Sequence, residues 1–307
     1  MSMITTFEIA RTRPPTTATT LAPSTPVKAS LTPSASLTPS ATLTKKPIPD
    51  YLAKKNAHPR DPYIEFDEGP HIYTVHGKGG YTSVTTWIHS HFSHFDADAI
   101  IDKMIRNGKT KDPTNKYYGM TKDEIKTLWS KNGAQASGSG TELHYDVECF
   151  YNQVPVANNS IEYQFFQRFV ADFPDLKPYR TEWMVYYEEY LLSGSIDMLF
   201  ENPDGTLQIY DWKRSKEIKY DDYGKHAKTP CIRHIPDANF WHYSIQLNLY
   251  KTILEHKYGK KITGLYLVII HPDNTSKTYD RLKVDFMDKE IADLLEYRKE
   301  QIATMAK

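Results

Sequence analysis

The chain has 307 residues, 38 basic and 38 acidic side chains, no formal net charge, and is 39% hydrophobic and 25% charged. That composition suits one large or two small globular domains, without the run of about 20 apolar residues that a membrane helix needs. Two cysteines, Cys149 and Cys231, argue for an intracellular, reducing compartment and supply too few thiols for a disulfide framework, an all-cysteine zinc site or an iron–sulfur cluster.

Residues 1–48 read as a disordered tail rich in Ser, Thr and Pro, with SLTPSA at 30–35 repeated at 36–41. Such a segment buries too little apolar surface to offset its ordering entropy. Its scarce acids resemble a mitochondrial transit peptide, but its prolines spoil an amphipathic helix, so a linker or a tail that docks a protein partner is favoured over targeting. The first fifty residues hold five Lys/Arg and two acids, leaving the remainder at −3. A body of that charge does not coat nucleic acid by bulk electrostatics and would need a local cationic groove.

The folded domain is expected over 49–307. HIYTVHGKGGY reads as a hairpin turning at Gly77–Gly80, and TSVTTWIHSHF enters a helix through capping hydroxyls. Helix-prone sequence runs to Lys131; after NGAQASGSG a helix is expected from near Thr141, with Leu143, Val147, Phe150 and Tyr151 inward. A second amphipathic helix spans 160–173, burying Ile161, Phe165, Phe166, Phe169, Val170 and Phe173. Strand-like runs follow at 181–191, 195–200 and 206–212, the last two flanking the turn signal NPDG. A polar stretch to Asp237 leads to a helix through Tyr258, the apolar strand ITGLYLVII, a short strand near 279–286 and a helix from 288. The expected fold is α/β, a central mixed sheet flanked by helices.

In a strand, Asp211 and Lys213 face one side while Trp212 faces the other. Pairing across NPDG brings Asp197 near Asp211, and two adjacent carboxylates repel unless a cation lies between them. Oxygen ligands favour Mg2+ or Mn2+. Taken alone, this motif more often marks a surface ion pair at a strand end, because short acidic motifs recur by chance. His144 and Glu148, one helical turn apart, offer an imidazole and a carboxylate beside the buried stripe, Glu182 offers another acid, and Gln246 and Tyr250 share a helical face.

Taken in order, Gly140-Thr141-x-x-His144-x3-Glu148, Glu182, Gly194-x-x-Asp197, Asp211-x-Lys213 and Gln246-x3-Tyr250 resemble the RecB-type branch of the PD-(D/E)XK nucleases. YTSVTTWI is similar to the Ser-Val-Thr segment of mitochondrial genome maintenance exonucleases and related viral and phage nucleases. The resemblance covers about Tyr73 to Ile270 and implies a restriction-endonuclease-like core of helix, three strands, helix and strand. It implies metal binding by His144, Asp197, Asp211 and the Trp212 carbonyl, with Asp197, Asp211 and Lys213 catalytic. Glu148, Glu182, Arg214, Gln246 and Tyr250 would bind substrate or brace the site. Many members carry Glu where this chain has Asp211, which changes geometry more than chemistry. The implied activity is a Mg2+- or Mn2+-dependent deoxyribonuclease, an exonuclease on single-stranded or end-bearing DNA, with replication or repair as its setting. The alternatives are a non-catalytic nucleic-acid-binding or scaffold protein on the same fold, and a structure- or sequence-specific endonuclease.

Other signals are weaker. His89, His91 and His94 in HSHFSH lack zinc-finger spacing and read as a solvated helix end. HGKGGY lacks the ending of a phosphate loop, and no serine-hydrolase elbow occurs. Between Lys213 and His234 lie seven Lys/Arg and three acids, with Tyr220 and Tyr223 suited to stacking on unpaired bases.

Overall fold

The computed structural model describes residues 48–305, so the expected tail up to residue 47 lies outside the described residues. A short helix α1 (Tyr51–Lys55) precedes β1 (Ile64–Asp67) and β2 (Ile72–Val75), which pair antiparallel from Ile64↔Val75 to Asp67↔Ile72. The hairpin therefore turns at 68–71, where His71 is left-handed, and not at Gly77–Gly80. There Val75 and Lys78 form only an isolated bridge before the chain enters β3 (Thr82–Ser83). The sequence reading missed β1, whose Phe66 ring packs on Tyr73 with centroids 4.5 Å apart.

Helix α2 (Val84–Ser90) begins as expected, the Ser83 hydroxyl accepting from the Thr86 amide. Then come α3 (Ala97–Arg106) and the 30-residue α4 (Lys122–Tyr151). The expected break at NGAQASGSG is absent. Each of Gly133, Gly138 and Gly140 costs about 1 kcal/mol relative to alanine inside a helix. A reciprocal capping box between Thr121 and Glu124 nucleates α4 upstream, and buried Leu143 and Val147 anchor it downstream, so the helix propagates through the glycines. Phe150, expected inward, is 38% exposed. In α5 (Ile161–Asp172), Phe165, Phe166 and Phe169 are buried, but Ile161 sits at the open first turn and is exposed.

The sheet comprises β4 (Lys177–Tyr187), β5 (Leu192–Glu201), β6 (Leu207–Lys213), β7 (Ile262–Ile269) and β8 (Asp280–Val284), with α6 (Asn239–Lys257) between β6 and β7 and α7 (Asp288–Met305) at the end. Residues 188–190, expected as strand, form a 3-10 turn. β4 and β6 flank β5 antiparallel, β6–β7 is parallel, β7–β8 antiparallel, and β3 runs parallel beside Leu192–Ser193. The sheet is mixed and helices cover both faces, as expected. One core lies under α2, α6 and α7 and includes Ile209, Leu265 and Leu267; the other lies under α4 and α5 and includes Met198, Tyr210 and Trp212.

Candidate active site

The site grows from a fork in the sheet. The β5–β6 ladder ends at Met198↔Tyr210, and one step further the register would oppose Asp197 to Asp211. There the strands part: β6 continues against β7 through Lys213, while β5 continues against β4. The amide of Trp212 would lose its ladder acceptor, and the Asp197 carboxylate replaces it, Oδ2 accepting at 2.9 Å. On the other side, the β4–β5 register would oppose Glu182 to Asp197, but this pair is also skipped, and Glu182 has φ +41. A non-glycine residue held left-handed inside a strand stores strain, a feature concentrated at functional sites. Ser195 Oγ donates to Glu182 Oε2 at 2.8 Å and holds it there.

His144 reaches the fork from α4. Its Nε2 donates to the Trp212 carbonyl at 2.9 Å, which turns Nδ1 toward Glu182 Oε1 at 3.5 Å and Asp197 Oδ2 at 3.6 Å. Burial alone would lower the His144 pKa, but Asp197 and Glu182 raise it to about 9. The imidazolium and the Lys213 ammonium together balance the acids. Burial raises the Asp197 pKa; burial and neighbouring Asp197 push Asp211 up to about 6. Asp211 is 2% exposed, and Lys213 Nζ lies 2.6 Å from its Oδ2, though off the hydrogen-bond direction, so this oxygen has a charged neighbour and no aligned donor. Burial would lower the Lys213 pKa, but Asp211 and Asp197 hold it above its ordinary value, so the amine stays protonated at neutral pH.

Around these groups, burial and the Glu182 charge push Glu148 up to about 8. Tyr250 is fully interior and hydrogen-bonded to Gln246, and its ring lies against Gly194. A Cβ on Gly194 would stand 2.6 Å from the Tyr250 hydroxyl, which gives that motif glycine a steric reason. Arg214 forms an ion pair at 2.9 Å with Glu162 of α5.

Three neighbours escaped the sequence reading. The Lys213 ammonium lies 4.9 Å from the centre of the Tyr243 ring, and Tyr243 precedes Gln246 and Tyr250 at helical spacing, a signal already present in the sequence. His89 feels the Lys213 charge, and burial together with that charge lowers its pKa. Tyr73, from the unforeseen hairpin, is pushed up to about 12 by burial and by Glu182. His91 is not solvated as expected: it is 1% exposed, with Nδ1 2.8 Å from the Thr229 hydroxyl.

The donor set suits a hard divalent cation. Ligand atoms of His144, Glu182 and Asp197 all lie within 4.8 Å of one another, two clustered acids carry raised pKa values, and Asp211 Oδ2 offers an unengaged lone pair. No helix among the described residues is long and apolar enough to cross a membrane.

No curated protein matches the chain. Among solved structures it is similar to a "Putative exonuclease" from Eubacterium rectale, at 12% identity and TM-score 0.35, covering 74% of this chain and 80% of that one. It is also similar to SSO0001, at 14% identity and TM-score 0.25, covering 46% of this chain and 58% of the other, so it spans less than two thirds of that relative. The family model for the PD-(D/E)XK nuclease superfamily matches residues 94–307, well over half the chain and every element from α3 to α7, the fork included. The chain belongs to the PD-(D/E)XK nuclease superfamily.

Proposed function

We propose that the chain is a divalent-metal-dependent deoxyribonuclease of the RecB-type branch, allied to the mitochondrial genome maintenance exonucleases, and acts on single-stranded or end-bearing DNA. The observation that carries this reading is the convergence of His144, Glu182 and Asp197 beside the buried Asp211–Lys213 pair where β5 and β6 part. Residues 49–307 form the nuclease domain behind the N-terminal tail.

His144, Asp197 and Asp211 would hold Mg2+ or Mn2+, with Glu182 within reach and the Trp212 carbonyl at hand. The ion would supply Lewis acidity at the scissile phosphate. Lys213, kept protonated by two acids, stabilises negative charge on the phosphoryl oxygens rather than taking a proton. The His144 hydrogen bond to the Trp212 carbonyl fixes the ring so that Nδ1 faces the acids. Gln246 and Tyr250 brace β5 behind the site, and Arg214 fixes the end of β6 to α5.

The test is hydrolysis of 5′- and 3′-labelled single and double strands, linear and circular, with Mg2+, Mn2+ or chelator. Linear strands shorten from an end only with metal, circles survive, and Asp211→Ala is inactive. Asp211→Ala cleaving at the wild-type rate, or no cleavage of any substrate, refutes the assignment.

A further inference from the structure

Beyond Arg214 the chain makes a long excursion to α6 that the catalytic reading leaves unused. Its first part is tied to the first turn of α6. Lys219 N donates to Asn239 Oδ1 at 2.8 Å, Asn239 Nδ2 donates to the Glu217 carbonyl at 2.9 Å, and Trp241 Nε1 donates to the Tyr220 carbonyl at 2.9 Å. These bonds seat Tyr220 against Phe240 with ring centroids 4.4 Å apart, and Phe240 meets Trp241 at 5.2 Å. Three residues after Phe240 on α6 stands Tyr243, and the Lys213 ammonium is 4.9 Å from its ring centre.

Three residues past Tyr220 the chain presents Tyr223. It is 96% exposed, and among the described residues its ring meets no other ring. It also holds a left-handed φ of 51°, followed by Gly224 at 73°. A bulky side chain resists that conformation, and here no burial offsets the cost. Folding gains nothing from this tyrosine; a ligand with a flat apolar face would.

We infer that Tyr223, together with the cluster of Tyr220, Phe240 and Trp241 close by along the chain, forms a stacking platform for unpaired nucleobases of the strand whose phosphate lies at Lys213. This rests on the nuclease reading and names the substrate feature recognised: single-stranded bases, taken by their faces and so without sequence preference. The hydrogen bonds to α6 preorganise Tyr220, Phe240 and Trp241, which lowers the ordering entropy lost on binding.

The test is fluorescence anisotropy of the full chain in chelator, which keeps binding separate from cleavage, with labelled oligothymidylate and the same strand carrying abasic sites. Tyr223→Ala should weaken binding to oligothymidylate about tenfold, as expected for one stacked base. Wild type should lose a similar factor on the abasic strand, the variant should lose little more, and Tyr223→Phe should bind as wild type. The slope of affinity against salt should not change, because no phosphate contact is removed. Oligouridylate run in parallel separates the sources of such bases: tighter binding to one strand identifies DNA or RNA. Equal affinities of wild type and Tyr223→Ala, with the same abasic loss in both, overturn the platform alone. A wild type that binds no strand overturns the nuclease reading with it.

Discussion

Gly194 is the most exacting steric position in the site. An alanine Cβ there would stand 2.6 Å from the Tyr250 hydroxyl oxygen, 2.9 Å from Cε1 and 3.2 Å from Cζ. Contacts under about 3.0 Å cannot be tolerated, and Tyr250, 3% exposed in the middle of α6, has nowhere to retreat. The φ of Gly194 is not left-handed, so alanine adds no backbone strain and the effect is pure overpacking. Overpacking of this kind costs about 1–3 kcal/mol. For a domain of this size that lowers Tm by roughly 3–10 °C. Urea unfolding and calorimetry of Gly194→Ala measure it directly. Tyr250→Phe removes the nearest atom but leaves Cε1, so the double variant should lie above the sum of the singles by about 1 kcal/mol, within the range for residues in contact. Hydrolysis should fall further than stability, because a displaced Tyr250 releases Gln246 and disturbs β5 three residues before Asp197. A Gly194→Ala protein within about 0.5 kcal/mol of wild type, strictly additive with Tyr250→Phe, would refute the close-packing argument.

Lys213→Met should destabilise the protein by about 3–5 kcal/mol by leaving Asp211 buried beside Asp197 without its cation, while adding Asp211→Asn recovers much of the loss; chemical unfolding of wild type, the single and the double variant checks this. Burial lowers the His91 pKa from 6.5 to about 4. Because the folded value lies below the unfolded one, stability is full above pH 6.5 and falls by about 3 kcal/mol as pH drops toward 4. His91→Gln should lose that part of the pH slope in urea titrations at pH 7.5, 6 and 5, and an unchanged slope would contradict the assignment. Mg2+ or Mn2+ at about 100 times its Kd should stabilise wild type by roughly 2.7 kcal/mol in thermal unfolding, and Asp197→Asn should abolish the gain.

Much of the site was legible along the chain because its signals are local. Strand parity puts Asp211 and Lys213 on one side, helical spacing aligns His144 with Glu148 and Gln246 with Tyr250, and NPDG marks the turn joining β5 to β6. Where local signals conflicted with distant ones, the reading failed. The glycines of NGAQASGSG argued for a break in α4, and a capping box some ten residues upstream overrode them. The histidines of HSHFSH looked solvated until Thr229, 138 residues away, took His91 into the core.

Which functional groups the protein has, their order and the local spacing that aligns them follow from the chain alone, since side-chain chemistry and short-range periodicity need no partner. Where the β5–β6 ladder stops, that Asp197 is left out of both strand ladders between Asp211 and Glu182, and that Glu182 is held left-handed arise on folding. Strand register and desolvation come from pairings between distant segments, and the raised pKa values of the two aspartates exist only once those segments have excluded water.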